Sequence, residues 1–596
     1  MRTMFLATTM ALAACAPLAD TGRPIAATPA DKDCQPAGET ADAQFEALGC
    51  TYVDLLARYN PVYATSLGDH RFDGELPDIS ADGRAEARAA FDVLRRRMTA
   101  IDFAQLSRQN QVDYRLLENS LAYSAFSEDE LQAWAWNPQY YHSIASSSIY
   151  TLVARDFAPW PERFDSIVQR MEKLPAFLAA ARQQIDVSRV PKVHAETVAK
   201  QNAGISMLVE TVLLPEVVAT GVSRTRFDDA VAGLKVALAE HQAWLDDVVV
   251  PGAEGEFRLG PDRYATKMAF ALQTDMSVAE LQGRARAAYT EARGQMEVIA
   301  RTFPECDVPG QQEAIQCALA ISYADRPERG NLEEAARGTL AEATAFTEKE
   351  GFVRMPDGPV EIITMPVFQQ GNSVAYLDAP GPLERSLPAF YAMSPVPDDW
   401  TEEQATSFLS EYNISMLHLL SIHEGVPGHY LQLDHANRFP GTLRAVLSSG
   451  PFIEGWAVYS ERVMAEHDYL GGMETREGRL FILNGLKFRL RAIANTLLDI
   501  GIHTQGMTRA EAMDLMMVGA FQQEREAAGK WVRANLSSVQ LLSYFTGYAE
   551  HVALRQEAEQ RWGADFNERT YHDAVLSHGS PPVKYARALI FDLPVE

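Results

Sequence analysis

The chain has 596 residues, 47% of them hydrophobic, and a formal net charge of -27 from 53 basic and 80 acidic side chains. That balance argues against nucleic-acid binding through a general basic surface, and the length supplies a core that needs neither staples nor repeats. No repeat period, glycine-rich nucleotide fingerprint or G-x-S-x-G elbow is present.

The N-terminus, "MRTMFLATTMALAACAPLAD", has one positive charge at Arg2 and an apolar run too short to span a bilayer. It reads as an export signal. The small residues before Cys15 resemble a bacterial lipobox, in which the signal is cut and the cysteine becomes the lipidated first residue. Ala16, not Asp, follows the cysteine, which under lipoprotein sorting implies the periplasmic side of the outer membrane. The alternative is an ordinary secretory signal cut near Ala14 or Ala16, with Cys15 incidental. Residues 16–40, rich in Ala, Pro, Asp and Thr, read as a disordered tether. The layout is then a signal over 1–15, a tether over 16–40 and a single large domain over 41–596, with the lipid as its only membrane attachment.

If Cys15 carries lipid, Cys34, Cys50, Cys306 and Cys317 remain. An even number in an exported chain suggests disulfides, and Cys34–Cys50 with Cys306–Cys317 is the simplest of three connectivities. Free buried thiols are the other reading.

Helical spacing dominates the rest of the chain. It predicts helices in 276–303, with Ser277 and Glu280 as a capping box, and in 331–351, 402–424 and 507–520. The exceptions are "VEIITMPVF" (360–368) and "NSVAYLDAP" (372–380), runs broken by Pro366 and Pro380 that read as short edge strands. The expected fold is mostly α: a large helical body with a cleft and a small β-sheet near the active site.

"HEGVPGHYLQ" (423–432) comes after that sheet. Zinc peptidases carry H-E-x-x-H on a helix, where residues four apart share a face. His423 and His429 are six apart, about 240° and about 9 Å of rise on a regular helix, so an unbroken helix cannot chelate with both. Pro427 lacks an amide donor and clashes with the carbonyl of His423, four residues back, while Gly428 admits backbone angles other residues avoid. The spacing therefore predicts a helix that bulges between Glu424 and His429, returning His429 to the face of His423. The bland reading is that these histidines are hydrogen-bonded core residues. Against it stand the charge of Glu424 among apolar neighbours, expensive to bury without a partner, the strand-like segment upstream, and "PFIEGWAVYSERV" (451–463), which brings Glu454 on a second amphipathic helix.

"HEGVPGHYLQ" and "EGWAVYSE", with "NPVYATSLGDHRFDG", "DIGIHTQGMT", "SYFTG" and "YHDAVLSHGSPP", resemble the bacterial domain-of-unknown-function family 885 over most of residues 45–590. That family shares features with the gluzincin-like zinc metallopeptidases, so the resemblance implies a zincin-like fold and a Zn²⁺ cofactor. The ligands would be His423, His429 and Glu454, with water in the fourth position. Glu424 would be the general base. Glu461 would orient a ligand imidazole, or be a solvated helix residue. Tyr544 and His503 are candidate donors to the developing oxyanion, each otherwise a core or capping residue. Arg489 and Arg491 would hold a substrate carboxylate, or be an exposed helix face. His435 as a fourth ligand would close the site and make it structural. The function implied is an envelope-anchored zinc-dependent hydrolase of peptide bonds. The alternatives are a non-catalytic lipoprotein scaffold or binding module on the same fold, and a hydrolase of cell-wall stem-peptide amides.

Overall fold

The computed structural model describes residues 34–596 except 218–219, 221–222, 366–374, 386 and 399. The expectations for Cys15, for the signal and for the tether up to residue 33 lie outside the described residues, as does Pro366. The described chain is mostly helical, with one small three-stranded sheet. No described helix is long and apolar enough to cross a membrane. Disulfides join Cys34 to Cys50 and Cys306 to Cys317, with Cα atoms 5.3 and 5.5 Å apart.

The strands are β1 (Glu361–Thr364), β2 (Ala375–Asp378) and β3 (Phe390–Met393), in the order β1-β3-β2. The two strands expected from sequence are the two edges. They do not pair with each other, because β3 lies between them, parallel to β1 and antiparallel to β2. β3 is only four residues long and sits between Pro388 and Pro395, which hides it from a periodicity reading. Arg155 ties the end of β2 to the N-terminal helices through an ion pair of 2.9 Å to Asp378 and a hydrogen bond to its carbonyl.

Caps refine the helix boundaries. Ser277 accepts from the Glu280 amide, but the Glu280 carboxylate turns to Arg284 instead of back to Ser277, so the expected box is half made. Complete boxes form at Thr401–Gln404 and Thr508–Glu511. The expected helix over 402–424 is broken at Tyr412, and Asn413 caps a new start at Ile414.

Three large cores organise the helices. One lies among the N-terminal helices from Pro138 to Val249, and another surrounds the long helix Arg476–Gln505. The third joins the sheet to Gly450–Glu466 and Ser543–Trp562. Gly450–Glu466 is buried almost throughout. Its backbone meets Ser543–Trp562 at two glycines: a Cβ on Gly547 would lie 1.8 Å from the Pro451 carbonyl oxygen, and one on Gly455 2.2 Å from the Gly547 carbonyl carbon. No side chain fits between these helices, which fixes Glu454 relative to Tyr544.

Candidate metal centre

The expected distortion of the motif is present. Residues Ser421–Gly425 form a widened turn, Val426 is extended, the Val426–Pro427 peptide is cis, and a new helix starts at His429. An extended residue before proline is the sterically favoured state. The Gly428 amide closes the loop on the Ile422 carbonyl at 2.9 Å, and the Trp456 indole donates to the Pro427 carbonyl at 2.9 Å. Both backbone groups are thus partnered at the break, which is built in and not frayed. A Cβ on Gly428 would lie 2.2 Å from both the Ile422 and His423 carbonyl oxygens. Gly428→Ala is therefore expected to destabilise the fold by about 1–3 kcal/mol through overpacking, read as a lowered denaturation midpoint with metal retention impaired.

The bulge brings the two imidazoles together, with ring centroids 4.7 Å apart. Glu454 Oε2 lies 3.6 Å from the Nε2 of His423 and 3.6 Å from that of His429. These distances are too long for hydrogen bonds. They match the edges of a tetrahedron around an ion held at about 2.0–2.2 Å, which are roughly 3.3–3.6 Å. All three residues are buried, and their ligand atoms lie within 4.8 Å of one another. Glu454 Oε2 and His429 Nδ1 have no hydrogen-bond partner among the described residues, although buried carboxylate oxygens are nearly always bonded. A divalent cation fits this set.

Charge points the same way. Burial opposes a proton on His423, but Glu454, Glu461 and Glu424 outweigh it and raise its pKa well above the imidazole range. Burial would push the Glu454 carboxyl up, yet His429 and His423 bring it down to about 2. The pocket is arranged for positive charge between carboxylates.

Glu461 reaches His423 Nδ1 at 2.7 Å and accepts its N–H, which leaves Nε2 directed at Glu454. Glu424 is half-buried at the cavity wall and accepts the Leu377 amide of β2 at 2.9 Å. Its burial is thus partial and satisfied, which softens the cost argued from its apolar neighbours. Tyr544 also lines the cavity. Burial and the Glu454 charge raise its pKa, with Arg533 and Gln540 opposing, so its hydroxyl keeps its proton at neutral pH.

His503 is not brought to the cluster. Phe488 packs 5.7 Å from the His423 ring, and His503 lies roughly 22 Å further along the same helix by rise. Its Nε2 faces the Ala534 and Ser537 carbonyls at 3.0 and 2.9 Å. It satisfies the C-terminal end of the helix Glu524–Leu536, the capping alternative. His435 donates to the Arg354 carbonyl and is no fourth ligand. Arg489 is bonded to Tyr548 and Gln295, whereas Arg491 lines the cavity and pairs with Glu526. Sequence reasoning missed the Leu377 amide, whose role depends on sheet placement, and Trp456, whose indole is a visible polar handle in "EGWAVYSE".

The cluster opens on a cavity of about 1850 Å³ lined from both the N-terminal and C-terminal helices. Ordinary small-molecule pockets are about 300–1,000 Å³, so this one has room for a chain of several residues. The description "Bacterial protein of unknown function (DUF885)" matches residues 61–590. The chain belongs to that family. Its fold is shared with a candidate lipoprotein of unknown function from Shewanella oneidensis, 33% identical, with a TM-score of 0.79, covering 92% of this chain and 99% of that one. A candidate lipoprotein from Colwellia psychrerythraea is 16% identical with a TM-score of 0.75, covering 93% and 99%, and at that identity shows the fold alone. No curated protein matches the chain.

Proposed function

We infer that this DUF885 member is an exported, zinc-dependent hydrolase of peptide bonds, tethered by lipid on Cys15 to the periplasmic side of the outer membrane. The observation that carries the activity is the trio His423, His429 and Glu454: three buried ligand atoms at metal-sharing distances, one of them a carboxylate oxygen with no hydrogen-bond partner among the described residues. The tether reading is supported by the lipobox-like stretch before Cys15 and by the description of the Shewanella structure as a candidate lipoprotein.

Zinc held by these residues would supply Lewis acidity and a strongly acidified water. Glu424, positioned by the Leu377 amide, takes the proton of the attacking water and passes it to the leaving amine. Glu461 fixes the His423 ring. The protonated Tyr544 hydroxyl donates to the oxyanion that develops on the carbonyl. Three protein ligands leave room for water, as catalytic zinc sites do and closed structural ones do not.

The relatives' descriptions name lipoproteins without an activity, which favours a second reading: a non-catalytic lipoprotein on the same fold. Metal analysis of the purified soluble part, paired with digestion of a mixed peptide library, separates the two. The hydrolase reading expects about one zinc per chain and cleaved peptides. Zinc with no cleavage of any peptide supports the second reading, and absence of bound metal removes the first.

A further inference from the structure

A second cluster lines the same cavity. Lys530 and Arg533 lie on the helix Glu524–Leu536, and Arg491 lies on Arg476–Gln505 facing them. Lys530 is only 7% exposed, and among the described residues its ammonium makes no hydrogen bond or ion pair. Two other lysines of this region are engaged. Lys487 holds both oxygens of Glu411 at 2.9 and 2.8 Å, and Lys267 donates to Ser538 at 2.7 Å. The carboxylate nearest in sequence to Lys530, Glu526, is taken by Arg491. Burial, with Arg491 and Arg533 beside it, holds the Lys530 pKa well below the usual range, and Glu526 only partly offsets this.

Two guanidinium cations and Lys530, whose charge burial disfavours, thus gather near Glu526, with Glu411 also acting on Arg491, in the cavity of a chain whose net charge is -27. Burial disfavours the charged form of Lys530, and a carboxylate bound beside it would restore that charge. The space for a ligand is the cavity itself, which Lys530, Arg533 and Arg491 all line. The cluster also connects to the candidate metal centre. Arg533 donates to Gln540 at 2.9 Å, and both oppose the effect of Glu454 on the Tyr544 hydroxyl. Tyr544 lines the same cavity and is influenced by both the basic cluster and Glu454.

We propose that Lys530 and Arg533, with Arg491 behind them, form a subsite that binds a carboxylate of the substrate. This rests on the peptide-hydrolase reading for what the substrate is, and it makes the substrate class peptides with a free carboxylate. The carboxylate is either the C-terminal one or an acidic side chain, and the test distinguishes them.

The test measures binding to full-length Glu424→Gln protein of three acetylated probes: tetra-alanine as free acid, tetra-alanine as C-terminal amide, and an amidated tetrapeptide with one glutamate among alanines. Charge-assisted hydrogen bonds favour the anion by roughly 10-fold or more, so the free acid is expected to bind at least about 10-fold tighter than the neutral amide. Lys530→Met should bring that ratio to about one, and Lys530→Arg should keep most of it. Preference for the glutamate probe alone assigns the subsite to an acidic side chain. If Lys530→Met does not fold, Arg533→Gln replaces it with the same expectation. Equal affinity for all three probes, no binding of any, or an undiminished ratio in a folded Lys530→Met or Arg533→Gln protein overturns the proposal. Zinc content and cleavage, measured separately, report on the hydrolase reading and not on this ratio.

Discussion

Glu424→Gln is expected to keep its zinc and to hydrolyse peptides about 10²–10⁴-fold more slowly, the usual contribution of a general base. The carboxylate is outside the trio of ligand atoms, so metal affinity does not depend on it. Glutamine keeps an oxygen that can accept the Leu377 amide, so β2 stays where it is. What is lost is the ability to take a proton. The check is zinc stoichiometry by atomic emission beside initial cleavage rates on one preparation. A wild-type rate with zinc bound means that Glu424 is not the base. Loss of zinc together with activity means that it is a ligand or a folding residue.

Glu454→Ala and His423→Ala are expected to lose both metal and hydrolysis. Each removes one of three ligands, and the Glu454 change also removes the negative charge that compensates the two imidazoles in a buried site. Glu454→Ala is expected to stay folded, because Glu454 Oε2 makes no hydrogen bond among the described residues, whereas His423→Ala also takes the Nδ1 donor from buried Glu461 and is expected to be less stable. Circular dichroism and zinc content measured together check this. A Glu454→Ala protein that retains one zinc per chain places the metal elsewhere.

Much of this site is legible in the sequence because its oddities are local. Six-residue spacing between two histidines, with Pro427 and Gly428 inside it, specifies a broken helix, and the structure breaks it at Val426. Glu461 lies two turns from Glu454 on one helix, so its position follows from periodicity. What sequence does not carry is which elements meet. β3 is too short to show a period, and its insertion between β1 and β2 depends on pairing across the chain. His503 sits in a family-like stretch, but its ring is committed to the carbonyls of a helix more than thirty residues later. Arg491 and Lys530 read as ordinary helix residues until two helices face the same cavity.

The zinc centre is tested most directly by anomalous diffraction at the zinc edge, from crystals of the protein purified without chelator. One peak is expected, about 2.0–2.2 Å from His423 Nε2, His429 Nε2 and Glu454 Oε2. A map with no peak between those three atoms, from protein grown in zinc-replete medium, would contradict the assignment.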